Sequence, residues 1–399
     1  MWSAAPHRTV IQHSHYVLVY RKMGKKSPIA APSAVWHCFQ YSLSRTRHIP
    51  QIMIIGFVVN QIKTEEPWYD TTLLTSTAVK MGHEVYIMGA GDLAYNEDGQ
   101  VGGWAVRAPS KKFRDMESYL GHIQGSEAQR VYITSEHLDV FFLRSNPSED
   151  TGNRVWAQTA GVIFGKLAIE NNVLVLNDPY HLMNTLNKMY FQHFPETVRP
   201  RTIITRSAEQ IREFYEKEGG KIILKPLQGS GGQDVFLLDE PTNLNQIVEA
   251  IARNGFVIAQ EYLPAAKDGD TRVILMNGKI FQVRGKYAAI HRTNKKGDIR
   301  SNIHAGGVAV KAQINDKILE LAHIVGPKLK NDGMFMAGLD IVGDKIMELN
   351  LFSPGGLASA EQLEKEKFAQ AMIASIENKL AYKRHYGSKI PNAVLATME

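Results

Sequence analysis

The chain has 399 residues, 44% apolar and 22% charged, the profile of a globular protein of two or three domains. Its net charge of +6 belongs to one end: residues 1–50 carry seven Lys/Arg and no Asp or Glu, leaving 39 basic against 40 acidic residues beyond them. Such a near-neutral body carries no footprint for nucleic acid, and no run of eighteen apolar residues is present to span a membrane.

Residues 1–52 show no clear hydrophobic period and are expected to form a poorly ordered basic extension. Freedom from acids resembles an organelle transit peptide, yet no amphipathic Arg-rich helix is evident, and a secretory signal would need an apolar core with a cleavage site. Met53 stands directly before an apparent strand and would be a natural start, so an upstream extension of the reading frame is favoured over targeting. The only cysteine, Cys38, lies in this segment. Its absence elsewhere excludes disulfides, thiolate zinc sites and a cysteine nucleophile from the body, and fits a reducing, cytoplasmic setting.

From residue 53 the pattern is α/β. Strands are expected at 54–59, 84–88, 139–143 and 173–176, with helices over 71–82 and 155–170. Alternation of this kind implies parallel pairing, so residues 53–177 are expected to form a Rossmann-like layer. Gly89-Ala-Gly91-Asp-Leu-Ala94 fits a dinucleotide fingerprint, but the polar turn Tyr95–Gly99 follows where a helix should open, which leaves little weight for NAD.

The strand Ile222-Ile-Leu-Lys225-Pro226 leads into a loop containing Gly229, Ser230, Gly231 and Gly232, then into the apolar run Val235–Leu238. Glycines let backbone N–H groups cradle phosphate oxygens and the lysine adds charge, although a flexible hairpin loop would read the same alone. No Walker A ending is present. Val257–Glu261 reads as a buried strand leaving through Tyr262-Leu263-Pro264, whose edge offers backbone groups to an adenine ring or serves as a connector. Asp270 and Arg272 precede another hairpin, and His291–Asn302 reads as a long polar loop: a solvated basic face, or a lid whose arginines match phosphate oxygens.

The segment Asp340–Asn350 reads as two apolar runs around Gly343-Asp344-Lys345. A three-residue loop would pair 342 with 346 and 340 with 348, placing Asp340, Glu348 and Asn350 on one face; a two-residue loop would throw Glu348 to the other. Two carboxylates and an amide oxygen on a face otherwise built from Leu, Ile, Val and Met suit Mg²⁺, while exposed surface acids remain the plain alternative.

Taken in order, Asn187-Lys188, Ile-Leu-Lys225-Pro with its glycine loop, Gln260–Pro264, Lys267–Arg272, Arg300-Ser-Asn302 and Gly338-Leu-Asp340…Glu348-Leu-Asn350…Ser353-Pro354 resemble the ATP-grasp fold. Within it the chain looks most like the prokaryotic glutathione synthetase family, from about residue 53 to 380. The resemblance implies an α/β chain, α+β in its later part: a Rossmann-like domain at 53–177, a two-lobed ATP-grasp domain at 178–385 with a lid lobe at about 200–263, and a tail at 386–399.

It also implies roles. Lys188 and Lys225 would contact ATP phosphates under the 229–232 loop, Glu261, Tyr262 and Leu263 would line the adenine pocket, and Asp270 would meet the ribose. Arg272, Arg292, Arg300 and Asn302 would hold the transferring group, Arg292 being assigned by its eight-residue spacing before Arg300. Asp340, Glu348 and Asn350 would bind two Mg²⁺ ions, with Mn²⁺ as a substitute, and Arg144, Ser353, Pro354 and Gly355 would meet the dipeptide. The implied activity is ATP-dependent joining of γ-glutamylcysteine to glycine through an acylphosphate, in a homo-oligomer. A ligase with another substrate and an ATP-binding protein without ligation are the alternatives.

Two departures bear on substrate choice. Where the family usually shows Arg-Lys-Asp-Pro-Pro-Phe-Asp, this chain has Arg144-Ser-Asn-Pro-Ser-Glu-Asp150, and Ser-Pro-Thr becomes Ser353-Pro354-Gly355-Gly356. The glycines read either as an N–H nest for a substrate carboxylate or as a lead-in to a helix begun by the capping box Ser359-x-x-Gln362. Leu363, Phe368, Met372, Ile376 and Leu380 make a helical stripe that reads as core before interface.

Overall fold

The computed structural model describes residues 10–13, 16–19, 52–110, 112–229, 232–253, 255–293 and 308–399. The chain divides into two units, 1–51 and 52–399. In the first, β1 (Val10–His13) pairs antiparallel with β2 (Tyr16–Val19).

The second unit begins with a seven-stranded sheet: β3 (Ile54–Val59), β4 (Glu84–Gly89), β5 (Leu93–Tyr95), β6 (Val101–Arg107), β7 (Gln129–Thr134), β8 (Val140–Leu143) and β9 (Leu174–Leu176). β4, β3, β8 and β9 run parallel, as the alternation with helices requires. β8 and β9 are buried throughout. β5, β6 and β7 add an antiparallel edge that the alternation did not announce. The helix Asp70–Lys80 forms as expected, whereas 152–159 is 3-10 and the α-helix starts only at Ala160, where apolar residues recur in a helical period. No helix opens at Gly89–Gly91; a 3-10 turn over Ala90–Asp92 runs directly into β5.

A four-stranded antiparallel sheet follows, from β10 (Thr202–Thr205), β11 (Ile222–Pro226), β12 (Phe236–Leu238) and β13 (Val257–Glu261), in the order β10-β13-β11-β12. Its apolar residues close a core of their own with the helices Ala208–Lys217 and Leu244–Ala252, through Ile211, Phe214, Leu224, Val248 and Val257.

The third layer comprises β14 (Asp270–Met276), the short β15 (Lys279–Ile280), the hairpin of β16 (Gln282–Val283) and β17 (Lys286–Tyr287), then β18 (Ala289–Thr293), β19 (Val308–Lys311), β20 (Met336–Val342) and β21 (Lys345–Asn350). The main order is β19-β18-β14-β20-β21, all antiparallel. Its core is continuous with that of the first sheet: Phe142 and Phe335 meet edge to face at 5.8 Å between ring centres. Phe368, Met372, Ile376 and Leu380, on the helix Phe368–Tyr386, are buried in that core, so the stripe packs inward. Leu363 lies on a separate helix, Leu357–Glu364, because the chain breaks at Lys365, which takes a left-handed φ of 52°.

Candidate active site

The turn between β20 and β21 holds two residues, Gly343 and Asp344, with Val342 opposite Lys345 and Ile341 opposite Ile346. The three-residue loop and the 342–346 pairing expected from sequence are therefore incorrect. A two-residue turn alone would put Glu348 on the far face. A bulge between Asp340 and Ile341 restores the pairing of Asp340 with Glu348 and of Gly338 with Asn350. The extra residue, Met347, lines the same cleft as Glu348. The acids share a face, by another route than expected.

Asp340 is buried and anchors a chain of alternating charge. Arg272, its cross-strand partner on β14, grips both carboxylate oxygens, with Nη2 at 2.8 Å from Oδ2. Arg292 Nη2 lies 2.9 Å from Asp340 Oδ1 and also pairs with Asp270, and Asn350 Nδ2 donates to Asp340 Oδ2 at 3.2 Å. Burial alone would push the Asp340 carboxyl up, but the two guanidiniums hold it well below the usual carboxylate range. Arg292 is not in a polar loop: it sits on β18 opposite Asp270, 6% exposed, because strand pairing continues through Thr293. Burial disfavours its charge, and Asp340 and Asp270 more than offset that. Arg300, Asn302, Ser230 and Gly231 lie outside the described residues.

Across the cleft stand two lysines. Lys188 Nζ is 3.3 Å from Glu348 Oε1 and donates to Gly229 O. Lys225, at the end of β11, donates to Gln260 Oε1 at 3.0 Å from a buried position. Burial pulls its pKa down to about 8, against the opposing pull of Glu348. Gly229 adopts φ 141°, a conformation that L side chains rarely take, which lets the chain turn beside Lys188. Glu261, Tyr262, Leu263 and Asp270 line the same cleft, as do Gly232, Ile223, Val235 and Met347. The Glu261 carboxylate accepts from Arg201 N at 3.1 Å and pairs with the Arg201 guanidinium, so its side chain is committed to the fold. The cleft holds about 940 Å³, including open solvent at its mouth.

Gln260 and Met347 were not foreseen. Gln260 follows from strand pairing, since it lies opposite Ile223, diagonal to Lys225. Met347 enters only through the bulge, which leaves no mark in the hydrophobic pattern.

The donor types at Asp340, Glu348 and Asn350 suit Mg²⁺, which takes one or two carboxylates and completes its shell with phosphate and water; Asp340 and Glu348 line the cleft beside the two lysines, and both Asp340 oxygens already accept from Arg272. Among the described residues no group of three His, Cys, Asp or Glu that could hold a metal ion is present.

Beyond Arg272 lies a second edge. Arg272 Nη1 donates to Gly355 O at 2.8 Å. Arg144 is 3% exposed and donates to Pro354 O at 3.1 Å, so its guanidinium is spent on the chain. Ser353 is half-buried and Gly355 exposed. The helix begins at Leu357, two residues before the capping box read from sequence, and Gly356 precedes it with φ 117°. Its first amides are taken: Leu357 N and Ala358 N donate to Asp70 at 2.9 and 2.8 Å. Of the two readings of Gly355-Gly356, the lead-in to a helix is the one seen, and the first amides of that helix are met by an acid of the protein, a contact between residues far apart in the chain that no local pattern marks.

The family described as prokaryotic glutathione synthetase, ATP-grasp domain, matches residues 187–365, and its N-terminal domain matches 53–182. A glutathione synthetase of Gloeobacter violaceus is 31% identical over 78% of this chain and 93% of its own length, and one of Brucella melitensis is 32% identical over 81% and 98%. Among solved structures, the D-cycloserine synthetase DcsG superposes with a TM-score of 0.57 at 15% identity, covering 82% of this chain and 99% of that one, which speaks to the fold alone.

Proposed function

The chain belongs to the prokaryotic glutathione synthetase family and is an ATP-dependent ligase, and from that premise we propose that it joins γ-glutamylcysteine to glycine, forming glutathione, ADP and phosphate. The observation that carries this reading is the row Asp270–Arg292–Asp340–Arg272, which runs from the nucleotide cleft to the exposed Gly355 edge.

A carboxylate is a poor electrophile, so activation precedes attack. The γ-phosphoryl group of ATP passes to an oxygen of the peptide carboxylate, breaking the bond to the β-phosphate bridge oxygen and leaving ADP. The amine then attacks the acyl carbon, phosphate departs with the bonding pair, and the new amide nitrogen sheds a proton. The protein's part is position, cationic charge at the phosphoryl oxygens, and exclusion of water, which would hydrolyse the acylphosphate. Lys188 and Lys225 supply charge at the phosphates under the 229–232 loop. Glu261 to Leu263, with Ile223, Val235 and Met347, form the walls for base and sugar, and Asp270 faces the ribose. Arg272 and Arg292, joined by Arg300 and Asn302, steady the transferring group. Asp340, Glu348 and Asn350 would hold two Mg²⁺ ions, or Mn²⁺, which supply charge neutralisation along the phosphates. The peptide lies along Ser353–Gly355. The four-stranded sheet over about 200–263 serves as the lid, and the working form is a cytoplasmic homo-oligomer.

A peptide or amino-acid ligase of the same chemistry with another acceptor is the second reading, favoured by the departures at 144–150 and 353–356. Phosphate release from ATP and Mg²⁺ with γ-glutamylcysteine, measured with and without glycine, separates the two. Glycine-dependent release is expected. Silence with glycine but turnover with a different amine would replace the first reading by the second.

A further inference from the structure

In an open α/β sheet, the crevice beyond the carboxyl ends of the parallel strands is the usual seat of a ligand. Here the chain itself occupies the ends of β3, β8 and β9. Arg144, the first residue after β8, donates from Nη2 to Pro354 O and from Nε to Thr71 Oγ1, the latter at 3.3 Å. Asp70 opens the helix that follows β3 and accepts from the amides of Leu357 and Ala358. Asn177, just after β9, accepts from Met336 N at 2.9 Å and donates to Met336 O at 2.8 Å and to Leu351 O at 2.6 Å. All three side chains are buried.

Apolar side chains would close such an interface without the cost of desolvating a carboxylate and a guanidinium. Charged groups add direction: the bond from Arg144 to Pro354 O and those from Leu357 N and Ala358 N to Asp70 join a side chain to a backbone atom, which fixes where the segment runs and not merely that it is covered. The segment is gripped from its other side by Arg272, which also holds Asp340. Residues 354–358 are therefore strung between the first sheet and the charges of phosphoryl transfer. Asp70 also occupies the amides at the start of the helix Leu357–Glu364, the position where a substrate carboxylate would otherwise be drawn. Burial pushes Asp70 up, opposed by Arg144 and the two amides, and burial pulls Arg144 down, opposed by Asp70 and Glu65, so each charge leans on the other.

We propose that Asp70 and Arg144 are positioning residues, which fix the backbone of 354–358 against Arg272 and so preset the edge where the peptide and the amine meet the transferring phosphoryl group. The inference rests on the ligase reading above.

Two variants test it. Asp70→Asn keeps one acceptor oxygen but sets an N–H against an N–H, and Arg144→Lys keeps the charge but loses the fork. In each, KM for γ-glutamylcysteine or for glycine should rise at least about tenfold while KM for ATP stays within about twofold. Amide hydrogen exchange over 354–358 should accelerate at least about tenfold in Asp70→Asn, with β10 and β13 unchanged. Should Asp70→Asn not fold, Arg144→Lys carries the same measurements. Unchanged peptide and glycine KM values in a folded variant overturn the proposal. So does a parallel loss of ATP affinity and of protection in β10 and β13, which a merely structural role would give. If the wild-type chain makes no glutathione, the function reading fails separately. Exchange then decides the positioning role alone: acceleration confined to 354–358 supports it, and no acceleration overturns it.

Discussion

On the function proposed above, the nucleotide side and the substrate side of the cleft are held by opposite means. On the nucleotide side, charges are set by near neighbours: Asp340, Glu348 and Asn350 lie on one hairpin, Arg272 and Asp270 on the strand beside it, and Lys225 next to Gln260 on paired strands. On the substrate side, Arg144 reaches 210 residues along the chain to Pro354, and Asp70 reaches 287 to Leu357. The ladder places charge through strand pairing, which repeats every two residues and tolerates little drift. The other edge depends on how two sheets dock, so its chemistry is open to change without disturbing the phosphates.

The contrast predicts its largest effect on the ladder. Asp340→Asn should lower kcat by about 10³ or more, with far-UV circular dichroism and cooperative melting retained, since the amide preserves shape while removing the charge between two guanidiniums. Near-wild-type turnover would break the assignment of the chemistry to this row. A smaller effect should come from pH. Burial lowers the pKa of Lys225 to about 8, so the charged form, which the proposed role at the phosphates requires, prevails below that pH and is lost above it. The value of kcat/KM for ATP should therefore fall as pH rises through about 8, and Lys225→Arg should remove that inflection because a guanidinium stays charged. A profile unchanged by the substitution would assign the titration elsewhere. The mildest change is Met347→Ala, which trims an apolar wall of the cleft. KM for ATP should rise about fivefold, near 1 kcal/mol, with kcat unaltered, as steady-state kinetics would read.

These regions also differ in how far their residues announced them. The strands Ile54–Val59 and Ile222–Pro226 fall where their apolar runs imply, because apolar continuity and turn residues act locally. The hairpin at 340–350 was legible in outcome but not in mechanism: glycine and aspartate marked a turn, and the bulge at Met347 that repairs its register leaves no pattern. Arg292 looked like loop because His, Arg and Thr are polar, yet its partner Asp270 across the ladder makes a buried strand position tolerable. Asp70 was not legible at all. An acid at the first turn of a helix reads as an ordinary response to that helix's own dipole, and only the docking of a second helix onto it reveals the contact.

One competition experiment bears most directly on what the enzyme makes. The wild-type chain, incubated with ATP, Mg²⁺, γ-glutamylcysteine and an equimolar mixture of the common amino acids, should yield glutathione as the dominant product by mass spectrometry, with one phosphate released per tripeptide. A dominant product carrying any amine other than glycine would contradict the proposed function.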